Sequence, residues 1–366
     1  MTVPPREIRL LVHADSGPEI GLGHVMRCLT LVEALGRRAV FLSPGAEEVR
    51  RLVETGGHTF VAVAGPDDIA GMLERLGPAI LIVDSYRVDA AQTAFWKEKS
   101  RLLVVIDDLN DRYLPADLVI NGNVYAEELA YERDRRLLLG PRYLLLRRDF
   151  QTQAAKEIVP RAENLLVTFG GSDPRELTPR ILEILAGCDL RARVAVGPDF
   201  GGRSAPGELS ARWGSADNSS GWSRAATGGD KTGTLKVELV EKPDMASLMT
   251  WADMAVSAGG STLYELCATG TPALAVTVAQ NQVPASRSLA ARGCILYWGS
   301  HTALGAEAGD PRHREEAGSD LRRAVEAMAL DPARRTDMSS RGQALVDGWG
   351  AARCAAVIAE MLENRI

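Results

Sequence analysis

The chain lacks the cysteine pattern of a metal-binding or disulfide-bonded protein. Its 366 residues include five cysteines, and no two of them have the close spacing typical of zinc ligands or of a small disulfide framework. This scatter argues against both kinds of site and favours a protein of the reducing cytoplasm. The five are Cys28, Cys188, Cys267, Cys294 and Cys354.

The chain also lacks a basic excess and a long apolar run. Its formal net charge is -6, whereas proteins that chiefly bind nucleic acids usually carry an excess of positive charge. No stretch reaches the roughly 20 apolar residues that span a bilayer, and the N-terminus has no signal-peptide pattern. We therefore expect a soluble, cytoplasmic protein that neither binds nucleic acid nor inserts into a membrane.

What the chain does contain is an alternation of short apolar segments and helical patterns. Near-continuous apolar strands separated by helices are typical of a parallel sheet covered on both faces. The alternation starts near residue 8 and begins again near residue 163, where ENLLVTFGGSDP repeats strand, glycine turn and helix. The sequence therefore predicts two α/β domains, residues 1–150 and 151–366, with ligands at the carboxyl ends of the strands, in a cleft that the two domains face.

Two segments of the second domain depart from this alternation. Residues 200–233 are rich in glycine and serine and have little periodicity, which predicts a long inserted loop. It is either a tolerated surface insertion or a lid in which Trp213 or Trp222 closes over substrate. The tail beyond Arg314 is helical, and its last helix has one apolar face that we expect to dock on the domains. This face carries Cys354, Val357, Ile358, Met361 and Leu362.

The first candidate site is the turn Gly21-Leu22-Gly23-His24, which joins the first strand to the first helix. Glycines let a backbone approach a ligand closely, and the first amides of a helix favour anions. A histidine in this position can take a proton from water or a hydroxyl beside a phosphate leaving group. On the turn alone, a histidine that caps or packs the helix is the more common interpretation.

Two further glycine turns follow strands of the second domain. The turn with Gly170 and Gly171 precedes a helix expected to start around Pro174, and its amides can donate to phosphate oxygens, although Asp173 there is also a good helix cap. The turn from Ser257 to Thr262 places Glu265 one turn into the next helix. Its hydroxyls and amides suit a pyrophosphate, and the carboxylate can accept hydrogen bonds from ribose hydroxyls or simply stabilise the helix start. The residues of this turn that we single out are Gly260, Ser261 and Thr262.

Other candidates lie beside these turns. Met245 opens a helix that can hold a flat base, or it is a core methionine. Gln280, Asn281 and Gln282 end a strand, where their amides can bind sugar hydroxyls or acetamido groups, or merely form a turn.

In the first domain, Tyr86 follows a strand end at the sheet edge expected to hold His24. Asp107 and Asp108 are adjacent carboxylates, but no third ligand appears at a convincing spacing. They and Asp84 therefore predict helix capping or loop hydrogen bonds rather than a metal site.

Several of these segments, taken in order, resemble one enzyme family. GLGHVMRCLTLVEAL, IVDSYRVD, VVIDDLNDR, LVINGNVYA, LGPRYLLLRRDF, VTFGGSDP, SAGGSTLYELCATGTPAL and AQNQ closely resemble segments of the UDP-2,4-diacetamido-2,4,6-trideoxy-β-L-altropyranose hydrolases of pseudaminic acid biosynthesis. That family is itself similar to MurG-type glycosyltransferases. The resemblance covers about residues 8–299.

The resemblance implies a GT-B fold of two Rossmann-like domains and a metal-independent hydrolysis that releases UDP and a free diacetamido sugar. It implies that His24 is the general base, with Tyr86 and Asn281 beside the sugar or the attacking water. It implies that no metal takes part, and we also expect no cofactor and no obligate protein partner. The residues expected to bind the UDP-sugar are Asp15, Gly21, Gly23, Arg27, Gly170, Gly171, Met245, Gly260, Ser261, Thr262, Glu265, Gln280 and Gln282.

Two departures from the family leave the sugar open. The 200–233 insertion and the helical tail exceed the core that carries the motifs, so a legionaminic-type precursor or a spore-coat sugar is an alternative substrate. A GT-B glycosyltransferase that uses the same UDP site, or a non-catalytic UDP-sugar-binding protein, is an alternative function.

Overall fold

The chain folds into two compact units, as seen in a computed structural model. Unit 1 comprises Met1–Gln151 together with Gly348–Ile366, and unit 2 comprises Thr152–Asp347. The structure describes residues 9–17, 22–44, 47–77, 79–151, 154–171, 173, 175–197, 200–213, 223–224, 235–304 and 311–364.

Unit 1 contains a seven-stranded parallel sheet with the strand order β3-β2-β1-β4-β5-β6-β7. The order reverses between β1 and β4, as in dinucleotide-binding domains. Its strands are β1 (Leu10–Ala14), β2 (Ala39–Ser43), β3 (Thr59–Ala62), β4 (Ile80–Asp84), β5 (Leu102–Ile106), β6 (Leu118–Asn121) and β7 (Arg136–Leu139). Its helices are α1 (Gly23–Leu35), α2 (Glu47–Thr55), α3 (Pro66–Leu76), α4 (Ala90–Lys99) and α12 (Gly350–Glu363).

The central strands of unit 1 are apolar throughout because both faces of the sheet are covered. Successive side chains of a strand point to opposite faces, so Val12 and Ile82 pack in one buried cluster, while Leu11 and Leu81 pack in the other. The helix predicted from His24 to Leu35 is confirmed within one residue. The alternation in the sequence did not reveal β6 and β7, which are short and are separated by a 3-10 helix, residues 126–128, and not by an α-helix.

Helix α12 packs on unit 1, so the expectation that the second domain extends to the C-terminus is wrong for this helix. Cys354, Ile358 and Leu362 are buried in the same cluster as Val25 and Leu31 of α1. The apolar face predicted from the sequence is therefore docked on unit 1. Gly350 permits this because a Cβ on it would lie 2.2 Å from the carbonyl oxygen of Leu144.

Unit 2 contains a second seven-stranded sheet with the order β10-β11-β9-β8-β12-β13-β14, in which the six strands from β11 to β14 follow the order of β3 to β6 in unit 1 and β10 is an additional edge strand. All pairs are parallel except that of β10 with β11. The strands are β8 (Asn164–Thr168), β9 (Arg191–Val196), β10 (Ser223–Arg224), β11 (Lys236–Glu241), β12 (Met254–Ala258), β13 (Ala273–Thr277) and β14 (Leu296–Ser300). The helices are α5 (Leu177–Leu185), α6 (Pro206–Trp213), α7 (Met245–Trp251), α8 (Thr262–Ala268), α9 (Val283–Ala291), α10 (Pro311–Leu330) and α11 (Pro332–Leu345).

The inserted segment is not one continuous loop. Residues 202–204 form a 3-10 helix and residues 206–213 form α6. Trp213 is 4% exposed and belongs to the core of unit 2, so a lid role for this tryptophan is wrong. Trp222 lies outside the described residues. Among the helices that the structure describes, none is long and apolar enough to cross a bilayer.

We expect Ile358→Ala to lower the free energy of unfolding by about 2–5 kcal/mol, because it leaves a cavity between α12 and α1. Urea denaturation measures the loss. Glu360→Ala on the exposed face of the same helix is the matched control, with an expected change within about 0.5 kcal/mol. Equal midpoints for the two variants would contradict the packing of α12 on unit 1.

Candidate functional site

Polar side chains gather where the central strands of unit 1 end. Asp84 is the last residue of β4, Asp15 follows β1, and Asp108 follows β5. Because these strands are parallel neighbours, their carboxyl ends meet at one edge of the sheet, at the point where the strand order reverses. The edge is therefore a natural place for a ligand.

His24 is joined to this edge by a hydrogen bond with a buried carboxylate. It is the second residue of α1, and its Nδ1 lies 2.5 Å from Oδ1 of Asp84. The side chains of His24 and Asp84 are 8% and 1% exposed. With an ionised partner, Nδ1 carries the proton, so Nε2 presents its lone pair. Within the described residues Nε2 has no hydrogen-bond partner.

Arg27 lies one helical turn after His24 and bridges two carboxylates. Its Nε donates to Oδ2 of Asp84, and its Nη2 donates to Oδ1 at 2.6 Å. Its Nη1 lies 2.9 Å from both carboxylate oxygens of Asp108. The i, i+3 spacing on α1 thus directs an imidazole and a guanidinium to the same carboxylate.

Asp108 in turn holds Tyr86 and Asn123. The Tyr86 hydroxyl donates to Oδ2 of Asp108 at 2.8 Å, and Asn123 Nδ2 donates to Oδ1 at 2.8 Å. The Tyr86 ring meets the His24 ring edge-on, with 4.7 Å between centroids. The contacts therefore close a ring of five side chains, which we call the carboxylate ring: His24, Asp84, Arg27, Asp108 and Tyr86.

The charges of this ring shift the proton equilibria of its members. Burial alone would raise the pKa of Asp84, but the charge and hydrogen bonds of Arg27 and His24 hold it below its usual value. Burial works against the charge of Arg27, yet Asp108 and Asp84 raise its pKa well above the usual value. Burial, and then the charge of Asp108, raises the pKa of Tyr86. Asp84 is therefore ionised and Tyr86 protonated at neutral pH.

Asp15 supports the ring from the backbone side. It is 2% exposed, and its Oδ2 accepts a hydrogen bond from the backbone N–H of Tyr86 at 2.9 Å. Asp107 accepts from the N–H groups of Leu109 and Asn110, as expected for a carboxylate that orders a loop. Gly23 is exposed at the start of α1, and Gly21 lies outside the described residues.

The corresponding edge of unit 2 presents chiefly backbone and hydroxyl groups. Gly170 and Gly171 follow β8 and are exposed, and Gly170 has a left-handed backbone with φ of 86°. The expected helix start around Pro174 is wrong, because α5 begins at Leu177. Asp173 caps that helix by accepting from the N–H groups of residues 177 and 178, both at 2.9 Å.

The third glycine turn follows β12 and leads into α8. Thr262 opens that helix, and Glu265 is half-buried in its first turn. Gln282 lies beside this turn, since its Nε2 is 3.8 Å from where a Cβ on Gly260 would be. Gln282 is itself anchored, because its Oε1 accepts from the N–H of Val278 at 2.9 Å.

The other predicted residues of unit 2 lie at helix starts and at exposed positions. Gln280 and Asn281 are exposed in a 3-10 turn just after β13, and Ser261 is exposed at the N-terminus of α8. Met245 is the first residue of α7 and is half-buried.

The structure thus brings the predicted residues together in two sets, one in each unit. In unit 1, His24, Tyr86, Arg27 and Asp15 belong to one network. In unit 2, Gly260, Ser261, Thr262, Glu265 and Gln282 surround one turn. Asp84 and Asp108 were interpreted from the sequence as capping or loop residues, and Asn123 was not singled out. In the sequence, the feature that could have identified these three residues is their position at the ends of adjacent strands.

Among the described residues, no group of three or more His, Cys, Asp or Glu side chains is arranged to hold a metal ion.

These two units define the class of the protein: it has the GT-B fold. It is similar in structure to MurG of Acinetobacter baumannii, with a TM-score of 0.64 and 13% identity, over 97% of this chain and 99% of MurG. It is also similar to the calicheamicin glycosyltransferase CalG4, with a TM-score of 0.59 and 16% identity, over 97% of this chain and 98% of CalG4. At these identities the likeness concerns the fold alone.

Three curated proteins resemble the sequence. Spore coat polysaccharide biosynthesis protein SpsG of Bacillus subtilis is 26% identical over 366 residues, 97% of this chain and 99% of SpsG. The uncharacterized protein MJ1062 of Methanocaldococcus jannaschii is 26% identical over 296 residues, 75% of this chain and 56% of that protein. The third is the pseudaminic acid cytidylyltransferase and UDP-2,4-diacetamido-2,4,6-trideoxy-beta-L-altropyranose hydrolase of Helicobacter pylori. It is 24% identical over 282 residues, 75% of this chain and 45% of that protein. No family model matches the chain.

We expect Gly259→Ala to lower the free energy of unfolding by about 1–3 kcal/mol through overpacking. A Cβ on Gly259 would lie 2.6 Å from Oγ of Ser286 and 2.8 Å from Cγ2 of Thr277, both buried. Gly260→Ala is the matched control, because its nearest neighbour would be 3.8 Å away. Urea denaturation of both variants measures the difference, and equal losses would contradict the close packing at residue 259.

Proposed function

We propose that this protein is a nucleotide-sugar hydrolase that releases UDP and a free sugar, with His24 as the general base. The observation that carries the proposal is the pairing of His24 with Asp84, which directs the proton to Nδ1 and presents a bare Nε2. An imidazole held in this tautomer by a buried carboxylate is suited to take a proton from water.

In the proposed reaction a water oxygen attacks the anomeric carbon of the sugar and its proton passes to Nε2 of His24. The bond from that carbon to the phosphate oxygen breaks, and its electron pair leaves with UDP. The ionised Asp84 stabilises the imidazolium that forms, as a carboxylate does behind the histidine of a hydrolytic triad. The step needs no covalent nucleophile and no redox partner.

The polar turns of unit 2 are the proposed UDP site. Backbone amides at Gly170, Gly171 and Gly260, with the hydroxyls of Ser261 and Thr262, suit the pyrophosphate. Glu265 would accept hydrogen bonds from the ribose hydroxyls, and Met245 would contact the base. Asn281, with Gln280 and Gln282, would bind acetamido groups of the sugar or orient the water. The support is that Gly170, Gly171, Ser261, Gln280 and Asn281 are exposed just after β8, β12 and β13, which are neighbouring strands of one sheet.

For the sugar, we propose a 2,4-diacetamido-2,4,6-trideoxyhexose, the precursor of a nonulosonic acid such as pseudaminic acid. The support is the ordered set of motifs in the sequence and the name of the H. pylori relative, of which the matched region is less than half. The resemblance to SpsG over nearly its whole length favours a spore-coat sugar as the alternative substrate. A transferase with the same base is the alternative reaction, since the base can equally take a proton from an acceptor hydroxyl.

We expect the purified protein to release UDP and free sugar in equal amounts from a UDP-diacetamido-trideoxyhexose without any acceptor. His24→Ala should lower kcat about 10²–10⁴-fold, the usual contribution of a general base. His313→Ala, an exposed histidine of α10, is the control and should keep full activity. NMR of the reaction mixture follows both products. Turnover that begins only when a sugar or lipid acceptor is added would refute hydrolysis, and tight binding without turnover would favour a binding protein.

We expect Asp84→Asn to lower kcat about 10²–10⁴-fold with little change in KM, because the amide no longer selects the Nδ1–H tautomer or balances the imidazolium. The control is Asp117→Asn, a carboxylate at the start of β6 that accepts from the N–H of Leu103 at 2.8 Å and lies outside the carboxylate ring. Steady-state kinetics of both variants give the comparison. A rise in KM alone for Asp84→Asn would instead make Asp84 a substrate ligand.

A further inference from the structure

Resting on the proposed function, we propose that Arg27 and Asp108 are positioning residues. They fix the His24 base and the Tyr86 hydroxyl in one rigid arrangement, and they make Tyr86 a hydrogen-bond acceptor toward the sugar or the attacking water. The sequence pointed to a different role for Arg27, as a substrate ligand. Three features of the carboxylate ring support the new role: where Arg27 donates its hydrogen bonds, which donors Asp108 accepts from, and where Tyr86 donates its proton.

The donors of Arg27 are directed inward. Its Nε and Nη2 donate to Asp84, and its Nη1 lies within hydrogen-bond distance of both oxygens of Asp108. Nη2 also lies 3.2 Å from Nδ1 of His24. Both nitrogens donate to the same carboxylate oxygen. A guanidinium engaged on two carboxylates has little capacity left for a substrate phosphate.

Asp108 accepts hydrogen bonds from three neighbouring side chains. Arg27, Tyr86 and Asn123 all donate to its carboxylate, whose side chain is 13% exposed. Among the described residues no hydrogen bond joins it to His24, so we expect its effect on the base to pass through Arg27 and Tyr86. Buried charges held in a shared network are strongly coupled, and removal of one member displaces the others.

Tyr86 has one hydroxyl proton, and it is donated to Asp108. The phenol oxygen therefore offers only its lone pairs to a ligand, which excludes Tyr86 as the proton donor to the leaving group. Its backbone is fixed as well: Asp15 accepts from its N–H, and Arg112 donates to the carbonyls of Ser85 and Val88 on either side, both at 2.9 Å. A fixed acceptor beside the base suits an O–H or N–H donor of the sugar or the attacking water.

The first test reads the tautomer of His24 directly and needs no substrate. The chain has five histidines, so ¹⁵N-histidine NMR resolves them, and His24→Gln assigns the signal. In the wild type we expect a pure Nδ1–H tautomer with its proton far downfield. Arg27→Lys keeps the positive charge, but a lysine ammonium cannot bridge two carboxylates as the planar guanidinium of arginine does. We expect it to shift or broaden the His24 signal and to lower kcat about tenfold or more with KM unchanged.

Arg135→Lys is the matched control. Arg135 is also a nearly buried arginine of unit 1, paired with Asp134 at 2.8 Å and stacked on Tyr113, and it lies outside the carboxylate ring. We expect it to leave the His24 signal and kcat unchanged. An unaltered His24 signal in Arg27→Lys, or a raised KM with normal kcat, would overturn the positioning role. Because the NMR result does not depend on turnover, it decides the role of Arg27 even if the protein hydrolyses no UDP-sugar.

The second test concerns the Tyr86 acceptor and the coupling of Asp108 to Arg27. Tyr86→Phe removes the acceptor, and we expect kcat to fall about 5- to 150-fold, the effect of one hydrogen bond of about 1–3 kcal/mol. Asp108→Asn should also lower kcat. In the Arg27→Lys background its further reduction of kcat should be smaller than its reduction in the wild type, because the effects of substitutions within one network are not additive. Additive effects would show that the ring does not act as a unit and would overturn the proposal.

Discussion

The buried carboxylate of Asp84 is the constraint on which the rest of unit 1 depends. A charge that is 1% exposed is tolerated in a protein only when cations and hydrogen bonds surround it. Here the cation is Arg27 and the further donor is His24, and both come from the first turns of α1. The need to satisfy Asp84 therefore sets the rotation of α1 about its axis. Apolar residues of the same helix, Val25 and Leu31, pack in the cluster that also holds the buried residues of α12.

The two units use a similar order of parallel strands for different chemistry. The edge of unit 1 carries ionised side chains that hold one another and one imidazole in place. The edge of unit 2 carries glycines, hydroxyls and amides, which suit phosphate and ribose. A base in one unit and a nucleotide site in the other is the division of roles that the proposed hydrolysis requires. The same division would serve a transferase, so the nature of the acceptor, water or alcohol, is the point on which the function depends.

Much of the fold followed from local patterns in the sequence. Continuous apolar runs such as ILIVD and LLVVI predicted buried parallel strands, because side chains on both faces of such a strand are covered. The helix at His24 and the apolar face of α12 were predicted for the same kind of reason. Strands β6 and β7 were missed because four-residue strands without an intervening α-helix have no period of their own. The affiliation of α12 was wrong because an apolar face does not specify which of two similar cores it will cover.

The sequence by itself determined the two α/β sheets, the glycine turns at strand ends, and the presence of a histidine, an arginine and several aspartates near them. Only the tertiary structure decided which of these residues are partners. Asp84 meets His24 and Arg27 across about 60 residues of chain, and Asp108 meets Arg27 across 81. Sheet pairing and helix packing create such contacts, and neither is readable from local periodicity. The physical reason is that a hydrogen bond depends on the positions of two atoms in space, whereas local patterns in a sequence record only which face of an element is buried.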